Sequence, residues 1–387
     1  MKKLMVGVLC IYVGVIASLS ADMIQPPSSS AIMAQGGAGG ITAGGYDALF
    51  NNPAGFACGP SSFTLVSVQP WVYTLPETFP DLMTNFSDGD SDGVRNIIDE
   101  GIPSNGFGVG GSAGLGWVGS GIGLGVSATF DSYIYEKASS SLWGDAMFSV
   151  STVLGYAVPF DIGKLRIIAG ADLRPTLRID ATLSNAEADA FLGSLASWND
   201  PIASISEADA RYGVGFAIDA GLIVDAERFR LGVAVRDLGD TRYAYETGTF
   251  GDALSNLTGG DLPPDRGDEE YVPMTINAGA SFHLFGGRLA AVIDPVLMGE
   301  IHDVQGFVDS VQGDDTSPWL YTHIGADIGL FDTIHLRGGL YQGNLTAGIG
   351  LDLPVIDLSA AYFTRELGAE IGERRASGLT VEAAIRF

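Results

Sequence analysis

A side-chain alternation of period two runs through most of this chain, and it restricts the fold more than any other feature. Between 164 and 178, Leu165, Ile167, Ala169, Ala171, Leu173 and Leu177 share one face, while Lys164, Arg166, Asp172, Arg174 and Arg178 share the other. That is a strand with one apolar and one polar side. Fourteen such segments run at about 63–75, 106–118, 119–135, 144–158, 164–178, 210–224, 228–242, 271–285, 287–300, 319–331, 332–341, 344–353, 355–367 and 377–387. Most are longer than the five or six residues of a soluble strand, and long enough to cross a bilayer at a tilt. An even number of such strands predicts an all-β fold, a transmembrane antiparallel β-barrel of the bacterial outer membrane.

The connections test this without reference to hydropathy, because an outer-membrane barrel alternates short inner turns with longer outer loops. The turns at 159–163, 225–227 and Gly286 are short, whereas 76–105, 179–209, 243–270 and 301–318 are long; only Gln342–Gly343 is a short outer connection. The final strand alternates Leu379, Val381, Ala383 and Ile385 and stops on Phe387. It resembles the C-terminal signal read by the barrel assembly machinery, which is therefore an expected partner during biogenesis, alongside the outer-membrane lipid bilayer. Trp71, Tyr73, Trp117, Tyr133, Tyr135, Trp143, Trp319 and Tyr321 lie near strand ends, where interface girdles form.

The N-terminus reads as a secretory signal peptide over 1–21: Lys2 and Lys3, an apolar run over 4–19, then small residues at Ser20 and Ala21. Past it the only cysteine is Cys58, and a lone thiol closes no internal disulfide. One other uncharged stretch, 101–130, is long enough to span as a helix, but its eleven glycines recur largely at spacing two, which is a strand period. Gly114, Gly116 and Gly119 match the spacing of a dinucleotide fingerprint without the helix or ribose-binding acid that it needs. Glycines on one face of these strands leave room for the segment before the first strand to lie against the wall, let the wall kink open sideways, or are simply tolerated where nothing bulky is needed; the first is the favoured expectation.

Charge is distributed unevenly. The chain carries 46 acids against 20 Lys and Arg, which excludes nucleic acid as a partner, since phosphate binding needs a basic surface. The four long loops hold 24 of the acids and two bases, Arg95 and Arg266. Most other bases sit in or beside strands, where they are expected to pair with Asp172, Asp219, Asp327 or Asp352 inside the lumen. Asp88-Gly89-Asp90-Ser91-Asp92-Gly93, with Asp99 at the twelfth position, has the oxygen spacing of a Ca²⁺ loop; a solvated acidic turn is the blander expectation, and no other cofactor is expected. His283, His302, His323 and His335 are scattered, and His302 beside Asp303 is the only pair that suggests a hydrolase. The chain reads as no enzyme.

Before the first strand, the chain runs Gly36-Gly37-Ala38-Gly39-Gly40-Ile41-Thr42-Ala43-Gly44-Gly45-Tyr46-Asp47-Ala48-Leu49-Phe50-Asn51-Asn52-Pro53-Ala54-Gly55-Phe56-Ala57. This resembles the hatch of the FadL-like long-chain fatty acid transport family, and Val272-Pro273-Met274-Thr275-Ile276-Asn277 resembles one of its mid-barrel strands. The resemblance implies a hatch over 22–62 plugging a barrel over 63–387, with Asn51, Asn52, Pro53, Ala54 and Gly55 as gating residues. It further implies outer-membrane transport of hydrophobic small molecules, long-chain fatty acids first among them, captured at the rim and passed through an apolar cavity. The alternative is a non-transporting barrel that serves protein secretion or surface structure. Asn51 and Asn52 satisfy backbone groups in a turn and Pro53 fixes φ, so such a segment folds compactly without regular structure.

Overall fold

A computed structural model describes residues 28–137, 141–259, 268–313 and 315–387; the expected signal peptide over 1–21 and residues 22–27 of the expected hatch lie outside the described residues. Its sixteen strands are β1 Ser62–Tyr73, β2 Gly108–Gly119, β3 Ile122–Lys137, β4 Ser141–Ile162, β5 Leu165–Leu183, β6 Asp209–Ala226, β7 Phe229–Arg236, β8 Thr241–Thr249, β9 Asp268–Val272, β10 Thr275–His283, β11 Ile293–Ile301, β12 Thr322–Leu330, β13 Ile334–Tyr341, β14 Asn344–Asp352, β15 Ile356–Glu366 and β16 Arg375–Arg386.

These sixteen make fourteen staves, because two staves are interrupted. β7 and β8 both pair with β6, through Val233↔Leu222 and Tyr243↔Gly215. Their junction holds Asp237, Gly239 and Asp240, all at positive φ. β9 and β10 continue one stave against β8 and β7, broken at Pro273, which has no N–H to give the ladder. Every neighbouring pair is antiparallel, and β1 pairs with β16 to close the ring. The terminal aromatic sits on that seam: Phe63 and Phe387 each donate a backbone N–H to the other's carbonyl at 2.9 Å.

The outer wall is apolar at alternate positions, with Phe216 66%, Leu345 73% and Val381 52% exposed. Such a wall is stable where hydrocarbon replaces water, and ring closure leaves no unpaired strand edge there. The chain is an outer-membrane barrel. No helix among the described residues is long and apolar enough to cross a membrane.

Two segments depart most from the sequence reading. The segment 243–270 was expected as one loop, yet β8 runs on to Thr249 and β9 begins at Asp268; its acids disguised a strand whose carboxylates pair across the rim, as in Arg242–Glu269 at 2.7 Å and Arg211–Glu270. The stave expected from 287 begins at Ile293, because Gly287 at φ +64° opens a turn in which Ile293 donates back to the Leu289 carbonyl.

The long outer loops also carry helices, among them Phe79–Asp88, Ser91–Asn105, Asn185–Ser197, Phe250–Gly259 and Val304–Gln312. Val94, Ile98 and Ile102 recur at spacing four and bury one helix face against Phe191, Leu192, Leu195 and Phe250. The acids Asp92, Asp99 and Glu100 are left on the exposed face. Arg95 ties two of these helices, with Nε 2.8 Å from Asp99 and Nη2 2.6 Å from Asp189. The outer end is thus an apolar layer under an acidic surface.

Candidate functional site in the lumen

Residues 28–61 touch strands on opposite sides of the ring, which places them in the lumen. Gln35 Nε2 donates to Asp327 of β12 at 3.0 Å, and the Ala34 carbonyl accepts from Thr346 of β14 at 3.1 Å. On the far side, Leu49 lies against Gly125 of β3 and Phe56 against Gly155 of β4. Short helices at Ser30–Ala34 and Ala48–Asn51 and tighter turns at Gly45–Asp47 and Pro53–Ala57 fold the segment on itself. Gly36 and Gly37, at φ +72° and +78°, make a left-handed turn against β12 and β13 that a side chain would block.

The glycines at spacing two on β2 and β3 mark the inner wall beneath this plug. A Cβ on Gly116 would meet Leu49, and one on Gly123 would meet Phe56, each at 2.7 Å. Backbone of the wall and side chains of the plug therefore approach more closely than any other residue allows.

The five consecutive residues expected from sequence to gate, 51–55, lie inside this segment. Asn52 is fully buried. Its Nδ2 donates to the Ile41 carbonyl at 2.7 Å and to the Val233 carbonyl of β7 at 3.4 Å, while its Oδ1 accepts from Ala54 N at 3.0 Å. One side chain thus joins both halves of the plug and the wall. Asn51 donates to the Asp47 carbonyl at 2.7 Å, Pro53 starts the next turn, and Gly55 packs against Ala43 and Ala48. Burial, and then the adjacent Asp47 carboxylate, push the Tyr46 phenol well above its ordinary value, so it stays neutral.

A second anchor has no local sequence signal. Glu300 Oε1 accepts from both Gly39 N and Ile41 N at 2.8 Å, and its Oε2 lies 2.9 Å from His302 Nε2. His302 stands 4.1 Å from the His323 ring, and His323 Nδ1 is 3.0 Å from the Gly36 carbonyl. The carboxylate and the imidazole therefore grip the same glycine turn. Glu300→Ala leaves two plug amides without an acceptor, at about 1–3 kcal/mol each where they are buried; amide exchange at Gly39 and Ile41 should accelerate at least roughly fivefold while barrel amides keep their protection.

Charges within the wall pair largely as expected. Arg174 binds Asp219 at 2.8 Å and Asp237 at 3.0 Å, Arg236 lies 3.0 Å from Asp219, and Arg337 binds Asp327 at 3.0 Å. His335 reaches Asp352 at 3.3 Å. Asp172 differs, for both its buried oxygens lack a hydrogen-bond partner among the described residues; in register it faces Asp219 rather than a base. Trp71, Tyr73 and Tyr133 do not join an interface girdle. All three are buried, with Trp71 and Tyr73 bonded to Asp131 at 2.7 and 3.2 Å, whereas Trp143 and Trp319 are exposed.

Above and beside the plug, the lumen is hollow. An outer chamber of about 640 Å³ is bordered by Tyr133, Met147, Arg178, Asp180 and Arg211. A second, of about 490 Å³, is bordered by Tyr46, Phe50 and Asn51 of the plug and by serines and threonines of β2 to β5. Met147 and Arg178 border both, so the chambers adjoin. An apolar cavity was expected; this lining is half polar or more, because inward positions of the staves carry hydroxyls and paired charges.

The acidic motif and the histidines take other roles. Asp88 ends one helix, Asp90 caps the next through Gly93 N at 2.9 Å, and Asp92 and Asp99 ride on that second helix. The two residues between the helices are too few to wrap an ion, and no cluster of metal-binding side chains occurs among the described residues. His302 bonds Glu300, while Asp303 caps the helix Val304–Gln312 through Gly306 N; the suggested hydrolase pair does not form.

No protein-family model and no curated protein sequence matches the chain. Among solved structures, the Pseudomonas putida toluene transporter TodX is similar at 12% identity, over 95% of this chain and 98% of that one, with a TM-score of 0.45. A Pseudomonas aeruginosa FadL homologue is similar at 11% identity over 95% and 99%, with a TM-score of 0.43. Outer membrane phospholipase A from Escherichia coli follows at 11% identity over 84% and 90%, with a TM-score of 0.27.

Proposed function

We propose that this barrel passes small organic compounds of low polarity across the outer membrane, gated by its N-terminal segment. The observation that supports this is the pair of adjoining chambers that ends on the N-terminal segment: Tyr46, Phe50 and Asn51, the first of the expected gating residues, border the inner one. A compound admitted at the outer end reaches the plug, and a shift of the plug about Asn52-Pro53-Ala54 opens the way onward. Hydrogen bonds and side-chain packing hold this segment, so it is free to move without breaking the ring.

Long-chain fatty acids fit this lumen less well than the resemblance implies. The acidic outer loops repel an anion at long range, and hydroxyl-lined walls give an alkyl chain no dry trough. The same polarity favours a second reading, a non-conducting barrel that serves protein secretion or surface structure. Influx into proteoliposomes of a labelled neutral organic solute that does not cross lipid unaided separates the two. The full chain should exceed empty vesicles, and Asn52→Ala should raise influx roughly fivefold, the factor that about 1 kcal/mol of lost hydrogen bonding gives. Influx equal to empty vesicles for both proteins establishes the non-conducting reading instead.

A further inference from the structure

The inner chamber carries a specificity feature that deepens the transport reading and rests on it. Ser112 of β2, Thr129 of β3 and Ser149 of β4 are successive cross-strand partners, Ser112↔Thr129 and Thr129↔Ser149. Gln69 of β1 and Arg178 of β5 continue the row at its two ends. All three hydroxyls border the chamber, and none has a protein partner among the described residues. Neighbouring strands set them about 4.8 Å apart. The row beneath, Ser127↔Ser151↔Thr176, is different: Ser151 and Thr176 bond each other at 3.0 Å, and Ser127 stands opposite Gly114, where the Tyr46 hydroxyl meets the wall. Only in the upper row are all three hydroxyls open to the chamber.

Tyr46 meets the wall at Gly114, the inward position next to Ser112 on β2. Its ring stands edge to face with Phe50 at 5.6 Å, and both border the same chamber. An occupant therefore has aromatic faces from the plug on one side and a line of free hydroxyls on the other. A pure hydrocarbon would strip water from those hydroxyls and give nothing back. Anions are disfavoured upstream, where Asp131, Asp145, Asp180 and Asp209 outnumber Arg178 and Arg211 around the outer chamber. We propose that the Ser112–Thr129–Ser149 row selects neutral hydroxylated aromatic compounds, with ring hydroxyls on the wall and ring faces against Tyr46 and Phe50.

The probe is resorcinol, titrated calorimetrically into the detergent-solubilised full chain, with benzoate and dodecanoate as the anionic comparisons. Resorcinol should bind at least tenfold more tightly than either. The triple variant Ser112→Ala/Thr129→Val/Ser149→Ala should weaken it at least tenfold, whereas Ser149→Thr, which keeps the hydroxyl, should bind like the original chain. Heat-modifiable mobility on gels verifies that each variant is a closed barrel. Tighter binding of either anion, absence of resorcinol binding, or a triple variant that binds unchanged overturns the proposal. Influx of arbutin, a neutral hydroxylated aryl glucoside that does not cross lipid unaided, separates this result from the function on which it rests. Resorcinol binding without influx of arbutin or dodecanoate above that into empty vesicles removes the transport reading and leaves the row as a binding site; dodecanoate influx above that into empty vesicles, without resorcinol binding, removes the row's role and leaves transport.

Discussion

Removal of residues 22–57 should convert the barrel into an open pore, with influx of sucrose-sized solutes at least roughly tenfold above that of the full chain. The expectation follows from what the plug touches. Gly116, Gly123, Gly125 and Gly155 give the inner wall almost no side-chain volume where Leu49 and Phe56 lie against it, so nothing from the wall fills the space once the plug is gone. Large barrels whose loops or plugs do not obstruct them hold water-filled channels. The ring should survive the deletion, because its closure rests on strand-to-strand bonds from β1 to β16, including the reciprocal pair between Phe63 and Phe387. Vesicle swelling measures the influx, and heat-modifiable mobility verifies the fold. Unchanged influx in a correctly folded deletion variant would show that residues 22–57 obstruct nothing, and the gating mechanism would fall with it.

The legibility of this chain follows the range of each interaction. Alternation is local, so all fourteen staves could be found, and even the seam was marked by an aromatic at the last position. Interrupted staves were harder, because Asp237, Asp240 and Pro273 carry turn chemistry into the middle of a crossing. The loop helices were concealed by composition: Val94, Ile98 and Ile102 have helical spacing, but Asp88, Asp90 and Asp92 before them and Asp99 among them have the spacing of a metal turn that two helices leave no room to form. Glu300 was not legible, since it grips Gly39 and Ile41 from 261 and 259 residues away. The glycine pattern was half legible, for its spacing revealed a bare face while the identity of what lies against that face required the folded chain. Asp172 looked like a paired charge because its strand neighbours include Arg174; register instead sets it across from Asp219.

The sharpest test of the plug's seat is a substitution that the strand itself should welcome. Gly170 of β5 and Gly221 of β6 are cross-strand partners, and together they form the seat for Asn52, Pro53 and Ala54. A Cβ on Gly170 would lie 2.5 Å from the backbone carbon and oxygen of Pro53 and 2.6 Å from Ala54 N. Valine suits a strand better than glycine does, so Gly170→Val should leave barrel assembly intact. Its cost falls on the plug, whose backbone cannot yield there while Asn52 Oδ1 holds Ala54 N. Overpacking of this kind costs about 1–3 kcal/mol, which raises the undocked fraction at least roughly fivefold. Cys58 supplies the readout, being the only cysteine past residue 21 and half-buried just beyond the seat. Its labelling by a maleimide should accelerate by that factor in Gly170→Val, with the thermal transition of the barrel unmoved. Faster labelling together with a lowered barrel transition would mean that plug and wall unfold as one unit. Labelling at the original rate would mean that the segment seated at Gly170 stays docked, and that any passage through this barrel opens elsewhere along its length.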